Sequence, residues 1–273
     1  MREKVLVIGA GIGGLCTALL LAPSGREIVM IERDGPLDTS DPDELFRNWK
    51  RNGVAHLRQS HAFLARLRVI MKEEHPALIE QLLANGVREL PFDIWLTEQQ
   101  EQGYQPEPED EDLTMITSRR TTLEMTMRNY VETLPNVTLQ CGYRVERLLT
   151  HKGEDGILQV NGVQGVLNGI ATTMHADIVV DASGKGGRGI KQLMDEGAII
   201  KEESESAGIL YFTRHYRLLQ DQIEPDRRTN PPASGDLGYL KFGVFPGDNG
   251  NFSITLAVPE VELELRQAIV DPE

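Results

Sequence analysis

The chain has two cysteines in 273 residues, Cys16 and Cys141. They form no Cys-x-x-Cys and no metal-ligand spacing, which excludes a disulfide framework and a thiolate metal centre. No apolar stretch approaches the roughly 20 residues that span a bilayer. The opening run Val5-Leu-Val-Ile8 is too short for a signal-peptide core, and glycine breaks it at once. Positive charge is scarce: 28 Lys and Arg stand against 42 Asp and Glu, a formal net charge of −14. Such a chain is repelled by phosphate backbones and anionic lipid, so neither nucleic acid nor a membrane is an expected partner. The sequence contains no Tyr-x-x-x-Lys, Gly-x-Ser-x-Gly, His-Glu-x-x-His or P-loop motif, and its six histidines are scattered. No nucleophile–base pair, and hence no catalytic residue, can be named from it. A cytoplasmic enzyme without a metal site is expected.

What is present begins at the N-terminus. Val5 to Ile8 reads as a strand buried on both faces, and apolar residues at Leu15, Ala18, Leu19 and Ala22 then follow a helical period. Pro23-Ser-Gly25 ends that helix, and Ile28 to Ile31 reads as a second buried strand. Strand, glycine turn, helix and strand in about thirty residues make a βαβ unit. Its turn is Gly9-Ala-Gly11-Ile-Gly13-Gly14, which matches G-x-G-x-x-G. Gly9 permits the tight turn, Gly11 lets backbone approach a diphosphate, and Gly14 lets helix pack closely on strand. The helix N-terminus offers its free N–H groups and partial positive charge to the phosphates. Glu32 follows at the end of the next strand, where a carboxylate can hold a ribose diol. Arg33 beside it either covers the adenosine or stays in solvent.

The rest of the chain is read more coarsely. Residues 34–52 are polar and read as a loop, 54–71 as an amphipathic helix, and 76–84 as a helix ended by Asn85-Gly86. Residues 87–97 read as extended, the acidic stretch 98–112 as a solvated loop, and 121–134 as a helix. Strands at 143–150, 157–160 and 163–170, with Asn161-Gly162 as a hairpin turn, suggest an antiparallel meander. Asp177 to Val180 is a short strand leading into Asp181-Ala-Ser-Gly184. Extended runs at 208–219, 237–245 and 252–258 follow, then a short helix at 262–269.

Four stretches carry a family likeness: Val7 to Gly14 with Met30-Ile-Glu-Arg33; Gly53-Val-Ala-His-Leu-Arg-Gln-Ser-His61; Ser118-Arg-Arg-Thr-Thr-Leu-Glu124; and Ala176-Asp-Ile-Val-Val-Asp-Ala-Ser-Gly184. Together they resemble the FAD-dependent oxidoreductases of the aromatic hydroxylase, geranylgeranyl reductase and flavin-dependent halogenase superfamily. The resemblance implies an α/β fold: a Rossmann-like three-layer FAD/NAD(P)-binding domain over residues 1–196 with a β-meander insertion, then a partial β-sheet substrate region over 197–273. It implies FAD as cofactor, NAD(P)H as reductant and an organic small molecule as substrate, in monooxygenase-like chemistry. A double-bond reductase and a non-catalytic FAD-binding fragment are the alternatives. By residue, Arg120 matches the arginine of the family's R-x-x-L-E and is expected at the FAD phosphates or ribose, with Arg119 as second choice. Asp181 and Gly184 match the late turn beside the flavin, although Asp181 would equally suit a cap on the following helix.

Departures from the family are specific. Ala55 and His56 stand where the family has proline and glutamine, so His56 and His61 are read as plain helix residues. Lys241 to Pro246 lacks the tryptophans of the halogenases. Pro246-Gly-Asp248-Asn-Gly250 reads as a hairpin turn rather than as the family's second glycine–aspartate motif. A truncated chain, completed by a further segment or a partner chain, is the corresponding expectation.

Overall fold

A computed structural model describes residues 2–225, 228–229 and 232–270. In chain order its elements are β1 (Lys4–Ile8), α1 (Ile12–Leu21), β2 (Glu27–Glu32), α2 (Pro42–Asn48), α3 (Ala65–Glu74), α4 (Pro76–Ala84), β3 (Arg88–Leu90), α5 (Glu98–Gly103), β4 (Met115–Thr117), α6 (Arg120–Val131) and β5 (Val137–Cys141). Then come β6 (Tyr143–Lys152), β7 (Leu158–Leu167), β8 (Ile170–His175), β9 (Ile178–Asp181), α7 (Gly189–Asp195), β10 (Ile209–Arg217), β11 (Ser234–Asp236), β12 (Lys241–Pro246), β13 (Asn251–Pro259) and α8 (Leu263–Val270). They fall into two compact units, each made of two stretches of chain: residues 1–55 with 124–204, and residues 56–123 with 205–273. The sequence alone groups 56–123 with the dinucleotide-binding region, residues 1–196. In the structure those residues pack with the C-terminal strands.

The first unit is built on a parallel sheet of order β5-β2-β1-β9. β1 has neighbours on both sides and is aliphatic throughout its interior, as a central parallel strand must be. Its side chains alternate between two faces. On one face Val7 meets α1: a Cβ placed on Gly14 would lie 3.5 Å from Val7 Cγ1. On the other, Leu6, Ile8 and Ile31 form a core with Tyr143, Leu148, Val163 and Ala176. Helix, sheet and meander are therefore the three layers expected of the fold.

The meander β6-β7-β8 is antiparallel, but its turn is not where the sequence reading put it. β7 runs straight through Asn161-Gly162, where the pairing with β6 slips by one residue. Asn168-Gly169, with φ of 48° and 89°, makes the hairpin turn instead. The two dipeptides are identical, and long-range pairing chooses between them. At Gly162 the backbone of β8 comes so close that a Cβ would stand 2.1 Å from the Met174 carbonyl oxygen, so glycine there serves close approach within a bulge.

The second unit holds an antiparallel sheet of order β10-β13-β12-β11 and the short pair β3-β4. β12 and β13 are joined through Asp248-Asn249-Gly250, with Asn249 and Gly250 left-handed, so the expected hairpin turn is present. The amphipathic helix expected over 54–71 is shorter. α3 starts at Ala65 because the Phe63 N–H and C=O pair with Ile116 (3.3 and 3.2 Å) rather than with a helix. His56 and His61 thus lie in an irregular segment, not on a helix. Two stretches read as loops carry helices instead. Asp41 caps α2 by accepting from the N–H groups of Asp43 and Glu44, with Pro42 at the first helical position. Thr97 and Gln100 form a capping box on α5. Of 87–97, only β3 is strand. Among the described residues no helix is long and apolar enough to cross a membrane.

Candidate dinucleotide site

β1 ends at Ile8, and Gly9 turns the chain with φ +97°, its N–H donating to the Ile31 carbonyl at 2.7 Å. A Cβ on Gly9 would lie 2.7 Å from the Ala182 carbonyl oxygen, and one on Gly14 would lie 1.9 Å from the Gly9 carbonyl oxygen. These two glycines are required by protein packing on protein. Gly11 and Gly13 differ: beyond their chain neighbours and their own helix, no described atom lies within 4 Å of where a Cβ would be. Gly11 is the N-cap of α1 and supplies no side-chain hydrogen bond, and the first turn carries no acidic residue. The helix therefore presents unsatisfied N–H groups and the positive end of its dipole beside open space.

Ala182 N–H donates to the Ile8 carbonyl at 2.9 Å, so the turn after β9 stands directly against the glycine turn. Asp181 Oδ1 accepts from the Ser183 N–H at 3.0 Å and also bonds the Ser183 hydroxyl, which folds the carboxylate over its own turn. It does not cap α7, whose N-cap is Arg188 with no side-chain bond. Gly184 has φ +78° and nothing within 4 Å of a notional Cβ.

Glu32 is only 4% exposed and sits at the centre of a charged cluster. Its Oε2 accepts from Ala10 N–H (2.9 Å), Arg51 Nη2 (2.6 Å) and Arg128 Nη2 (3.2 Å), and its Oε1 accepts from Asp34 N–H (3.1 Å). Arg51 also pairs with Asp34 at 3.2 Å and with Glu124. Both guanidiniums donate to the Ala10 carbonyl and lie about 5 Å from the Trp49 ring centroid, at 5.2 Å for Arg51 and 5.0 Å for Arg128. Burial works against the Glu32 charge. Arg51 first, then the Ala10 and Asp34 N–H groups and Arg128, nonetheless hold its pKa below the ordinary value. Burial, and next the Arg51 charge, bring Arg128 down to about 10. Arg51, Arg128 and Trp49 were not singled out by sequence: Arg51 lies in a polar stretch, and Arg128 belongs to no motif. Arg33 is half exposed, with its guanidinium over Gly53.

Arg119 and Arg120 belong to the second unit. The Arg119 guanidinium is enclosed by Asp248: Nη2 is 2.6 Å from Oδ2, and Nε is within 3.1 Å of both oxygens. Thr122 Oγ1 and the Arg119 N–H donate to the same carboxylate at 2.9 and 2.7 Å. In the sequence Asp248 stands out only as part of a turn. Arg120 meets His56 Nε2, and the His56 and His61 rings lie 5.6 Å apart. Burial foremost, together with the Arg120, His56 and His215 charges, pushes His61 down to about 4 despite its bond to the Gln59 carbonyl. His61 is therefore neutral near pH 7.

The residues present fit the phosphate and sugar of an adenine dinucleotide. The backbone at Gly11 and Gly13 has open space where side chains would stand, as close approach of a diphosphate needs, and Glu32 Oε1, with one donor among the described residues, retains a lone pair for a hydroxyl. Among the described residues no group of three His, Cys, Asp or Glu could hold a metal ion.

No family model matches the chain, and no curated protein matches it. Solved structures do. PqsL, a probable FAD-dependent monooxygenase from Pseudomonas aeruginosa, superposes with a TM-score of 0.66 at 14% identity over 99% of this chain and 64% of its own. The flavin-dependent halogenase CmlS gives 0.66 at 17% identity over 99% of this chain and 44% of its own. OxyS, an anhydrotetracycline hydroxylase from Streptomyces rimosus, gives 0.57 at 16% identity over 99% of this chain and 48% of its own. The chain spans less than two thirds of each. At these identities the likeness is one of fold, and the fold is that of the FAD-dependent monooxygenases, hydroxylases and halogenases.

Proposed function

We propose that this chain is the cofactor-binding part of an FAD-dependent oxidoreductase of the monooxygenase type, acting on a small organic molecule with NAD(P)H as reductant. The observation that carries the reading is the open, side-chain-free backbone at Gly11 and Gly13, at the uncapped start of α1. The diphosphate rests on those amides, where neutral N–H groups and the helix dipole meet its charge without a competing carboxylate. Gly9 and Gly14 hold strand and helix close enough for this, and the lone pair of Glu32 Oε1 accepts a ribose hydroxyl. Arg33, half exposed beside it, covers the adenosine. Asp181 and Gly184, pressed against the glycine turn, present backbone to the more distal part of the cofactor. In the second unit Arg119 is already neutralised by Asp248.

Bound FAD would supply the two-electron redox chemistry that no side chain here can. The protein's own contribution is to bind and orient it and to keep its acid–base groups quiet. His61 stays neutral, and the buried guanidiniums of the first unit are matched by Glu32, Asp34 and Glu124.

The test is to purify the chain, record its flavin absorbance, and titrate it with FAD by calorimetry. NADH and NADPH oxidation in the presence and absence of O₂ then distinguishes a monooxygenase from a reductase. A colourless protein that takes up no FAD overturns the reading.

A further inference from the structure

β10 is the end strand of its sheet. β13 pairs with one side of it, and among the described residues no strand pairs with the other. The pairing with β13 runs from Ile209 to Arg217 without a slip. That ladder fixes which backbone groups lie on the open side. Just beyond its two ends, the Leu218 N–H donates to the Gly250 carbonyl at 2.9 Å and the Glu260 N–H donates to the Gly208 carbonyl at 2.8 Å. Hydrogen-bonded positions alternate along an antiparallel pair. Leu210, Phe212, Arg214 and Tyr216 therefore turn their N–H and C=O groups toward β13. Ile209, Tyr211, Thr213, His215 and Arg217 turn theirs away from the sheet.

The side chains along this edge are apolar and uncovered: Ile209, Tyr211 and Tyr216 are exposed, Tyr211 by 61%. The chain after β10 runs on toward β3 and β12, where Glu224 bonds Arg88 and Arg228 bonds the Val244 carbonyl. A long, regular edge of this kind is a template for another strand.

What fits the edge is the edge itself. Laid antiparallel about a twofold axis at Thr213, the strand sets outward-turned backbone against outward-turned backbone throughout. Thr213 then meets Thr213 of the second copy, Tyr211 meets His215, and Ile209 meets Arg217. On the other face Leu210 meets Tyr216 and Phe212 meets Arg214, an aliphatic–aromatic and a cation–aromatic pair. No arginine stands opposite an arginine. Moving the axis to Arg214 would set arginine against arginine, and moving it to Phe212 would leave Tyr216 and Arg217 beyond the end of the facing strand. The sheet's opposite end strand, β11, has only three residues, so pairing closes at two copies and does not propagate.

We propose that two copies of this chain associate edge to edge through β10, as a twofold dimer in which two four-stranded sheets become one. The seam is about 30 Å long. An interface of one strand pair lies at the small end of the specific class, so dissociation is expected on the order of micromolar. The proposal does not depend on the flavin reading.

Sedimentation equilibrium of the full chain over a range of concentrations tests it. Wild type is expected to pass from monomer to dimer. Tyr211→Lys, at an exposed edge position, should raise the dissociation constant at least about tenfold. Tyr211→Pro removes one outward N–H without touching the β13 ladder and should do the same. Tyr239→Lys, exposed but off the strand, should leave the dimer unchanged. Under oxidation Thr213→Cys should cross-link to its own copy, because directly opposed Cβ atoms lie about 5 Å apart. Tyr216→Cys should not, because its two copies would stand about 20 Å apart. Wild type under the same oxidation controls for Cys16 and Cys141. A wild type that stays monomeric well above micromolar concentration overturns the inference. So does a dimer indifferent to Tyr211→Lys, or one cross-linked by Tyr216→Cys and not by Thr213→Cys. Should Tyr211→Pro fail to fold, Tyr211→Lys and the cysteine pair still decide.

Discussion

Arg119 and Asp248 stand 129 positions apart and close on each other as a buried ion pair, with the aspartate also accepting the arginine's own backbone N–H. Removing one partner of such a pair strands the other charge out of water. Asp248→Ala should therefore cost about 3–5 kcal/mol, read from urea denaturation. A loss below about 1 kcal/mol, the scale of a surface pair, would show that Arg119 finds water instead.

The glycine turn separates two kinds of requirement. Gly14→Ala drives a Cβ into the Gly9 carbonyl, so the fold should lose about 2 kcal/mol or more. A Cβ at Gly11 has no neighbour within 4 Å beyond the adjacent residues, so Gly11→Val should cost no more than about 1 kcal/mol, the scale of an N-cap change. It should nevertheless abolish FAD uptake by calorimetry. Unaltered FAD affinity in Gly11→Val would remove the diphosphate from that turn.

Glu32 sets an acid limb. Its folded pKa is depressed below 4.5, so its contribution to stability is complete above that value and is lost as the pH falls through the folded one. Glu32→Gln should flatten the pH dependence below about 4.5. At neutral pH it should cost about 3–5 kcal/mol, because Arg51 and Arg128 lose their shared anion. Chemical denaturation at pH 7 and pH 3.5 separates the two effects.

His61 acts in a different window. Held near 4 when folded against 6.5 unperturbed, it takes up its proton more readily in the unfolded chain. Stability should fall as the pH drops from 6.5 toward 4, and His61→Phe, with its ring beside Phe63, should remove that component. Parallel denaturation curves for variant and wild type across this range would contradict the assignment.

Local chemistry was legible in the sequence wherever it decided the structure. The aliphatic run at Val5 to Ile8, the glycines after it and the helical period that follows gave the βαβ unit, because a twice-buried strand and a close strand–helix turn leave few residue choices. Asn249-Gly250 was likewise read correctly as a turn. The same signal misled at Asn161-Gly162, where pairing with β6 and β8 holds the dipeptide inside a strand and Asn168-Gly169 turns the chain instead. The start of α3 was missed because Phe63 pairs with Ile116, far along the chain. Glu32 stands out in the sequence by its spacing from the glycines, at the end of β2. Arg51 and Arg128 do not, since they reach it from 19 and 96 positions away and have no motif of their own. The capping residues of α2 and α5 were local signals masked by the acidity around them.

Each compact unit is assembled from two separated stretches, so the chain passes from one unit to the other three times. No single contiguous gene fragment can encode either unit without a stretch of the other. A product ending at residue 204 would keep residues 56–123 but lose the strands they pack with, leaving Arg119 without Asp248. Such a product should be captured by chaperones or precipitate rather than persist as an independent half. Dissecting this protein into working parts would call for excising the intervening stretch and linking the two halves of one unit, not truncation.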